Sequence, residues 1–259
     1  MDDGKNKEFI ENDENINPSP IIKPLSNEEK EEILFNSSTL VEKRNNFLQP
    51  IAEGGSEIVS FNHANEPLSC SAGFWMKKNN EDFIVTAGHC PDNIPTLFYA
   101  PSFHDNYLIG SMETRVIRLY DIGFIRKTNT NLILRPVIRL FDRRFSQFLI
   151  VGSSEITSCG VHICKAGQRT GISCGFVTAF NSVRTVGGNL RIRTIVAEPM
   201  ENNAGDSGGS MFQYNGFNGQ SNLADAVGIL IGGGLPGILV AVGMPINIAL
   251  EFGYSLVTI

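Results

Sequence analysis

Residues 203–210 read NAGDSGGS, a short polar stretch in which glycines stand on both sides of Ser207. A serine hydroxyl becomes an effective nucleophile only when a base takes its proton and hydrogen-bond donors receive the developing oxyanion. Glycines, which have no Cβ, let the backbone turn so that its N–H groups face a reacting carbonyl. The stretch therefore predicts a nucleophilic serine, with a plain glycine-rich turn between two strands as the alternative.

The overall composition indicates the fold class. The chain has 259 residues, among them 26 glycines, 12 prolines and 17 phenylalanines. A chain of this length can bury a large core, and this composition is typical of many short strands joined by tight turns. The net charge of −6 gives no sign of the basic surface patch that nucleic-acid-binding proteins usually carry. We therefore expect no nucleic-acid partner and no anionic membrane surface as a partner.

A second stretch, residues 83–90, reads FIVTAGHC and presents a histidine after an apolar run. Such a run predicts a strand that ends in a small-residue turn carrying His89. Histidine suits general-base chemistry because its ordinary pKa lies near neutral pH. A satisfied structural histidine is the alternative, and it is the better interpretation of the chain's three other histidines. The serine stretch in the same chain is what favours a catalytic role for His89.

A third stretch, residues 120–126, reads YDIGFIR and places a carboxylate before a strand-like run. Asp121 could accept the second ring proton of His89 and hold the ring in one tautomer. Asp92 and Asp105 compete for this role on position alone. Most aspartates are solvated surface charges, so this signal is weaker than the other two.

The five cysteines carry information about compartment and metal binding; they are Cys70, Cys90, Cys159, Cys164 and Cys174. None forms a CxxC pair or a zinc-type cluster with histidine, so we expect no metal site. Spacing leaves their connectivity open, although pairing Cys70 with Cys90 and Cys164 with Cys174 would close two hairpin-sized loops. Each such bridge would stabilise the fold by about 3 kcal/mol and requires an oxidising compartment. Cys159 would then be a buried, unpaired small residue.

Residues 226–250 contain no charged side chain, which is enough apolar length to span a bilayer. The run is interrupted by three glycines at 232–234 and by Pro236 and Pro245. Short apolar runs bounded by Gly and Pro are typical of core strands, so we predict buried strands here and no membrane span. Residues 245–252 predict one short helix, with Pro245 in its first turn and Gly253 at its end.

The first 50 residues differ in character from the rest, being acidic, rich in asparagine and poor in strand formers. A capping-box pattern at residues 26–29 predicts a helix over 27–43. Residues 1–18 contain no apolar stretch of signal-peptide length. Strand-like runs begin near residue 51, a more basic segment over about 126–145 predicts a connector, and strands return from 148.

These stretches together resemble one family, the chymotrypsin-like serine proteases of bacterial type, the streptogrisin and α-lytic protease group. TAGHC at 86–90 is similar to its catalytic-histidine signature, GDSGG at 205–209 to its nucleophile signature, and DIGFIR at 121–126 to its catalytic-aspartate strand. Stretches without a catalytic role match as well. They are CSAGF at 70–74, the cysteine hairpin at 164–175 and the tail at 252–256.

The resemblance implies an all-β fold of two antiparallel six-stranded β-barrels with a short C-terminal helix and the active site between the barrels. It implies a serine endopeptidase in which His89, Asp121 and Ser207 form the catalytic triad. The backbone N–H groups of Gly205 and Ser207 would bind the oxyanion, and Ile231, Gly232 and Gly233 would bind substrate. The disulfides implied are Cys70–Cys90 and Cys164–Cys174.

The implied organisation is a protease domain over 51–259, with barrels over about 51–130 and about 148–245 and a helix and tail over 246–259. Residues 1–50 would be a pro-segment of a zymogen, or else an acidic extension with one helix. The resemblance also implies a secreted monomer that acts on proteins or peptides, with no cofactor and no metal.

Three departures from the family pattern bear on function. Ile231 stands where the family has a serine that supports the catalytic aspartate, and the disulfide that braces the specificity pocket has no cysteines here. Glu201, six residues before Ser207, could be an acidic pocket base, although the aliphatic neighbours favour an apolar pocket. Two other hypotheses therefore stand beside the endopeptidase. They are an inactive protease-fold binding protein and an esterase that uses the same triad.

Overall fold

A computed structural model describes residues 50–101, 106–139, 147–216, 222–233 and 239–259. The predicted helix over 27–43 and the N-terminal extension lie outside the described residues, as does Asp105. Seventeen strands lie in the described residues: β1 (Ile51–Gly54), β2 (Glu57–Phe61), β3 (Pro67–Ser71), β4 (Trp75–Lys78), β5 (Glu81–Thr86), β6 (Thr96–Pro101), β7 (Asn106–Val116), β8 (Ile122–Lys127), β9 (Ile133–Arg139), β10 (Gln147–Ser153), β11 (His162–Gly167), β12 (Gly171–Val186), β13 (Asn189–Glu198), β14 (Ser210–Tyr214), β15 (Leu223–Gly233), β16 (Ala241–Pro245) and β17 (Ser255–Leu256).

The strands form two sheets, and the predicted all-β class is confirmed. The first sheet has eight strands in the order β17-β4-β5-β8-β7-β6-β2-β3. The second has nine strands in the order β1-β9-β10-β15-β14-β11-β12-β13-β16. Closure of each sheet into a six-stranded barrel stays a prediction.

Alternation of apolar and polar residues explains the strands that support the site. In β12, Gly175 and Val177 are buried while Phe176 and Thr178 are exposed, as expected when successive side chains point to opposite faces. Strand β8 is buried on both faces over residues 122–125, so it is an apolar run rather than an alternating one.

The two ends of the described chain each join the sheet made mostly by the other half. Strand β1 pairs in parallel with β9 in the second sheet, although the residues that follow β1 belong to the first sheet. Strand β17 returns to the first sheet and pairs with β4. The predicted connector over 126–145 was wrong in part, because Ile133–Arg139 is strand β9. Its hydrophobic residues Leu134, Val137 and Ile138 are buried.

The apolar run over 226–250 forms β15, β16 and the short helix α1 (Asn247–Glu251), which confirms the prediction of buried strands and a short helix. Ile248 and Ala249 are the buried residues of the helix. Within the described parts of the chain, no helix has the length and apolar character needed to cross a membrane.

Both predicted disulfides are present, one joining Cys70 to Cys90 and the other joining Cys164 to Cys174. Cys159 is a free cysteine, as predicted, but it is exposed, so the prediction that it is buried was wrong. It lies in the turn before β11, and its thiol contacts only the carbonyl of Thr178 at 3.4 Å among the hydrogen bonds of the described residues.

Candidate active site

His89 and Asp121 lie side by side because the strands next to them are neighbours. His89 follows β5, Asp121 immediately precedes β8, and β5 pairs with β8 in the first sheet. The backbone N–H of His89 donates to Asp121 Oδ1 at 2.9 Å, and His89 Nδ1 lies 2.9 Å from Asp121 Oδ2. The carboxylate therefore holds both the backbone and the ring of His89. The competing residue Asp92 is exposed.

The charge state of Asp121 follows from its surroundings. Burial alone would raise the pKa of this carboxyl, which is 1% exposed. The hydrogen bond and positive charge of His89, with the positive charge of Arg191, outweigh burial and hold the pKa below its ordinary value. Asp121 is therefore a carboxylate at neutral pH. It accepts the Nδ1 proton of a neutral His89 ring, which leaves Nε2 as the ring's proton acceptor.

The serine loop is shaped by the buried carboxylate of Asp206, the residue before Ser207. Asp206 Oδ1 accepts the backbone N–H groups of Arg169 and Thr170 at 2.8 and 3.0 Å. Asp206 Oδ2 accepts the Thr170 hydroxyl at 2.6 Å and the backbone N–H of Asn203 at 2.9 Å. These bonds fasten the loop to the turn between β11 and β12, which is the turn of the Cys164–Cys174 hairpin.

A buried lysine supplies the cation for this carboxylate. Lys165 Nζ lies 3.2 Å from Asp206 Oδ2, and neither side chain is exposed. Lys165 also donates to the Thr170 hydroxyl and to the Gly171 carbonyl. Burial alone would raise the pKa of Asp206. The bonds from Thr170 and the charge of Lys165 outweigh burial, so the pKa lies below its ordinary value. Burial lowers the pKa of Lys165, and Asp206 opposes that change.

Ser71, at the end of β3, holds two carbonyls of the serine loop. Its hydroxyl donates to the Gly205 carbonyl at 2.9 Å, and its backbone N–H donates to the Ser207 carbonyl at 2.8 Å. With both carbonyls turned toward Ser71, the N–H groups of Gly205 and Ser207 donate to no backbone acceptor among the described residues. Two neighbouring donors of this kind can receive an oxyanion.

The serine loop and the histidine loop touch each other. Gly208 has a φ of +86°, and a Cβ at this position would overlap the Thr86 hydroxyl. Cys90 Sγ lies 3.8 Å from the Ser207 carbonyl oxygen, so the residue after His89 contacts the backbone of Ser207. Within the described residues, no hydrogen bond joins Ser207 Oγ to His89. Such bonds are often loose without substrate.

The predicted substrate-binding residues end strand β15 beside the serine loop. Gly208 N–H donates to the Leu230 carbonyl at 2.7 Å, and Leu230 N–H donates to the Gly209 carbonyl at 2.9 Å. The Ile231 side chain is 1% exposed and belongs to the hydrophobic core, while Gly232 and Gly233 complete the strand. Ile231 thus lies in the core and offers no hydroxyl to Asp121.

Two side chains near the predicted pocket differ in exposure. Glu201, the alternative acidic pocket base, is exposed, and its backbone N–H is bound by the Ser173 hydroxyl at 2.8 Å. Asn202 is half-buried and donates to the Val240 carbonyl at 2.7 Å. Its amide lies against Gly233, where a Cβ would overlap it.

Sequence reasoning missed Arg191, Lys165 and Ser71. Each is a polar or charged residue in a strand, and each is fully or almost fully buried. The one signal available was their position inside apolar strand runs. That signal shows neither whether the side chain points inward nor which partner it meets, because the partners lie 70, 41 and 134 residues away.

One cluster of metal-ligating side chains is present among the described residues, formed by His162, Cys164 and Cys174, whose ligand atoms lie within 4.8 Å of one another. The two cysteines are joined in a disulfide, and a disulfide provides no thiolate for a metal. The cluster in its oxidised form therefore does not fit a metal site.

Comparison with known proteins places this fold and these motifs among bacterial serine proteases. The chain is 28% identical over 195 residues to streptogrisin-C of Streptomyces griseus, a match that covers 73% of this chain and 38% of that protein. It is 26% identical over 144 residues to serine protease 2 of Streptomyces fradiae, covering 55% of this chain and 79% of that protein. The chain thus spans about two fifths of the first relative. No family model matches.

A solved structure agrees with the fold. It is that of a serine protease described as specific for glutamic acid and as using a histidine triad in substrate binding. The two share 26% identity at a TM-score of 0.65, over 80% of this chain and all of that one. Relatives found by sequence and a neighbour found by fold thus agree, and the chain is similar to the chymotrypsin-like serine proteases of bacterial type.

Proposed function

We propose that this protein is a serine endopeptidase in which Ser207 is the nucleophile, His89 the general base and Asp121 the residue that orients the base. The observation that carries the proposal is the double contact of Asp121 with His89, at 2.9 Å to the backbone N–H and at 2.9 Å to Nδ1. An aspartate that was near a histidine only by chance would rarely be buried and would rarely bind both the backbone N–H and the ring nitrogen of that histidine.

In the first half of the reaction, Ser207 Oγ attacks the carbonyl carbon of the scissile peptide bond while His89 Nε2 accepts the hydroxyl proton. Asp121 keeps Nδ1 protonated and stabilises the imidazolium that forms. The tetrahedral intermediate collapses, His89 returns the proton to the leaving amine, and an acyl-enzyme remains. In the second half, water repeats the attack with the same base and releases the acid product.

The carbonyl oxygen becomes negatively charged in each tetrahedral intermediate, and the N–H groups of Gly205 and Ser207 are the proposed donors to it. Asp206 and Ser71 support this assignment, because their bonds hold the loop in a shape in which those two donors have no backbone acceptor among the described residues. Preorganised donors of this kind lower the barrier by roughly 3 kcal/mol each.

The C-terminal end of β15, at Ile231, Gly232 and Gly233, is the proposed binding strand for the substrate backbone. Its position beside the serine loop supports this, since Gly208 and Gly209 exchange hydrogen bonds with Leu230. An extended peptide could add to this edge through main-chain hydrogen bonds. An apolar primary pocket, rather than one based on Glu201, is the proposed source of side-chain preference.

The wider assignments follow from the same proposal. Residues 51–259 would be the protease domain of an extracellular monomer that cleaves proteins or peptides, and the two disulfides support an oxidising location. Residues 1–50 would be the pro-segment of a zymogen. No step above needs a cofactor or a metal.

The test is covalent labelling of Ser207 combined with a cleavage assay. We expect a fluorophosphonate to label the folded, processed protein on Ser207, and the Ser207→Ala variant to take none. Sequencing the cut sites in a peptide library would then read the pocket. Absence of label would support the inactive binding protein instead, and turnover of esters without any peptide cleavage would support an esterase.

A further inference from the structure

Asp121 has a second partner that the proposed triad does not include. Arg191 Nη2 donates to Asp121 Oδ2 at 3.1 Å, the same oxygen that accepts His89 Nδ1. The Arg191 side chain is 3% exposed and that of Asp121 2%. A buried carboxylate requires donors, and a buried guanidinium requires an acceptor that carries charge. The pair meets both requirements inside the candidate active site.

The guanidinium is held in place by backbone carbonyls of the opposite half of the molecule. Arg191 Nη1 donates to the Ile117 carbonyl at 2.7 Å and to the Arg118 carbonyl at 3.2 Å. The next residue along β13, Ile192, donates its N–H to the Leu119 carbonyl at 2.9 Å. The β12–β13 hairpin of the second sheet is therefore fastened to the segment that leads into Asp121. The two terminal nitrogens of Arg191, one bound to these carbonyls and the other to Asp121, fix the direction of the carboxylate.

The electrostatic effect on the reaction follows from this arrangement. His89 acquires a positive charge when it accepts the proton of Ser207, and Asp121 favours that charge while Arg191 opposes it. The bond from Arg191 to Oδ2 keeps that oxygen aimed at His89 Nδ1, so Arg191 acts on the reaction by orienting the carboxylate.

We propose that Arg191 is a positioning residue of the active site that fixes the direction of the Asp121 carboxylate and, through it, the orientation of the His89 ring. This inference rests on the proposed function. Apart from Asp121, the other charged side chains near His89 are more exposed to solvent than Arg191. Asp92 and Arg115 line the surface depression beside the ring, and Arg115 is bound to the carbonyls of Gly88, Pro91 and Asp92. Farther along β13, Arg193 pairs with Glu251 in two bonds of 2.7 Å.

The chain offers a matched control for this inference. Arg184 is the cross-strand partner of Arg191 in the same hairpin, and it is exposed. Substituting Arg184 by methionine removes an equal charge from the hairpin without touching Asp121. Arg191→Met removes the charge and the fork, whereas Arg191→Lys retains the charge but loses the paired donors.

The experiment measures the rate at which a fluorophosphonate labels Ser207 at neutral pH. Arg191→Met should slow labelling about tenfold, because the Asp121 carboxylate loses the donor that fixes its direction. Arg191→Lys keeps the charge but not the paired donors, so it should also label more slowly than the wild type. Arg184→Met should label at the wild-type rate.

A folded Arg191→Met protein that labels at the wild-type rate would overturn the inference, as would an Arg184→Met protein slowed to the same extent. If Arg191→Met does not fold, the labelling rate of Arg191→Lys decides. A second measurement needs no catalysis. The low-field proton resonance of His89 Nδ1–H, recorded in a Ser207→Ala background, should shift and broaden in Arg191→Lys. An unchanged resonance contradicts the inference, whereas loss of labelling in the wild type contradicts only the proposed function.

Discussion

Lys165 and Asp206 form an ion pair in which neither side chain is exposed, with Nζ and Oδ2 separated by 3.2 Å. Asp206 stands one residue before Ser207, and Lys165 lies in strand β11. The pair therefore links β11 to the loop that carries the candidate nucleophile. The other partners of Asp206 are Thr170 and the backbone N–H groups of Arg169 and Asn203, which together hold the shape of the serine loop.

Removal of the cation should be far more costly here than at the surface. Lys165→Met leaves a buried carboxylate without its counter-charge, so we expect the free energy of unfolding to fall by about 3–5 kcal/mol. Lys77→Met is the control, since Lys77 forms an exposed pair with Asp82 at 3.8 Å and its loss should cost less than about 1 kcal/mol. Urea unfolding measures both. Equal losses in the two variants would contradict a structural role for the buried pair.

Acid should destabilise the fold through Asp121 and Asp206. Both carboxyls have pKa values in the folded state below the ordinary value of 3.8, so the unfolded chain binds more protons in acid. Their stabilisation is present above about pH 4 and is lost as pH falls toward the folded pKa values. We expect the Tm to drop in this window, and to drop less steeply for Asp206→Asn. Parallel Tm curves for the two proteins would refute this account.

The orientation of His89 should depend on the charge of Asp121. Asp121→Asn can present its amide N–H to the ring and so favour the wrong tautomer. We expect the rate of peptide cleavage by the folded variant at neutral pH to fall by about 10³–10⁴-fold. Asp92→Asn, at the exposed competitor, should retain full activity. The comparison requires initial rates on one peptide substrate, and a similar loss in both variants would remove Asp121 from its proposed role.

The hydroxyl of Ser71 should matter for rate more than for substrate binding. Ser71→Ala removes the bond to the Gly205 carbonyl and also the acceptor of the Gln168 N–H at 2.9 Å, so the oxyanion donors lose part of their alignment. We expect kcat to fall about tenfold with KM nearly unchanged. Ser69→Ala is the control, because the Ser69 hydroxyl donates to Glu57 and accepts from the Gln168 side chain but forms no bond to the Gly205 carbonyl. A change confined to KM would place Ser71 in substrate binding.

The local sequence was sufficient to predict the elements on which the site depends. Strands β5 and β8, the glycine-rich loop around Ser207 and helix α1 follow from apolar runs and from Gly and Pro positions, which act over a few residues. The cysteine pairs also followed, with the help of the family resemblance. Strand β9 was missed because basic residues such as Arg135 and Arg139 interrupt its short apolar runs.

The sequence by itself thus determined which residues could do the chemistry, namely His89, Asp121 and Ser207, because their motifs are local. Only the tertiary structure decided what holds them. Arg191 meets Asp121 across 70 residues of chain, and Ser71 meets Gly205 across 134. Such contacts depend on the packing of two sheets and on which face of a strand is buried. No spacing rule along the chain encodes either one, so the supports of residues 203–210 became visible only in the fold.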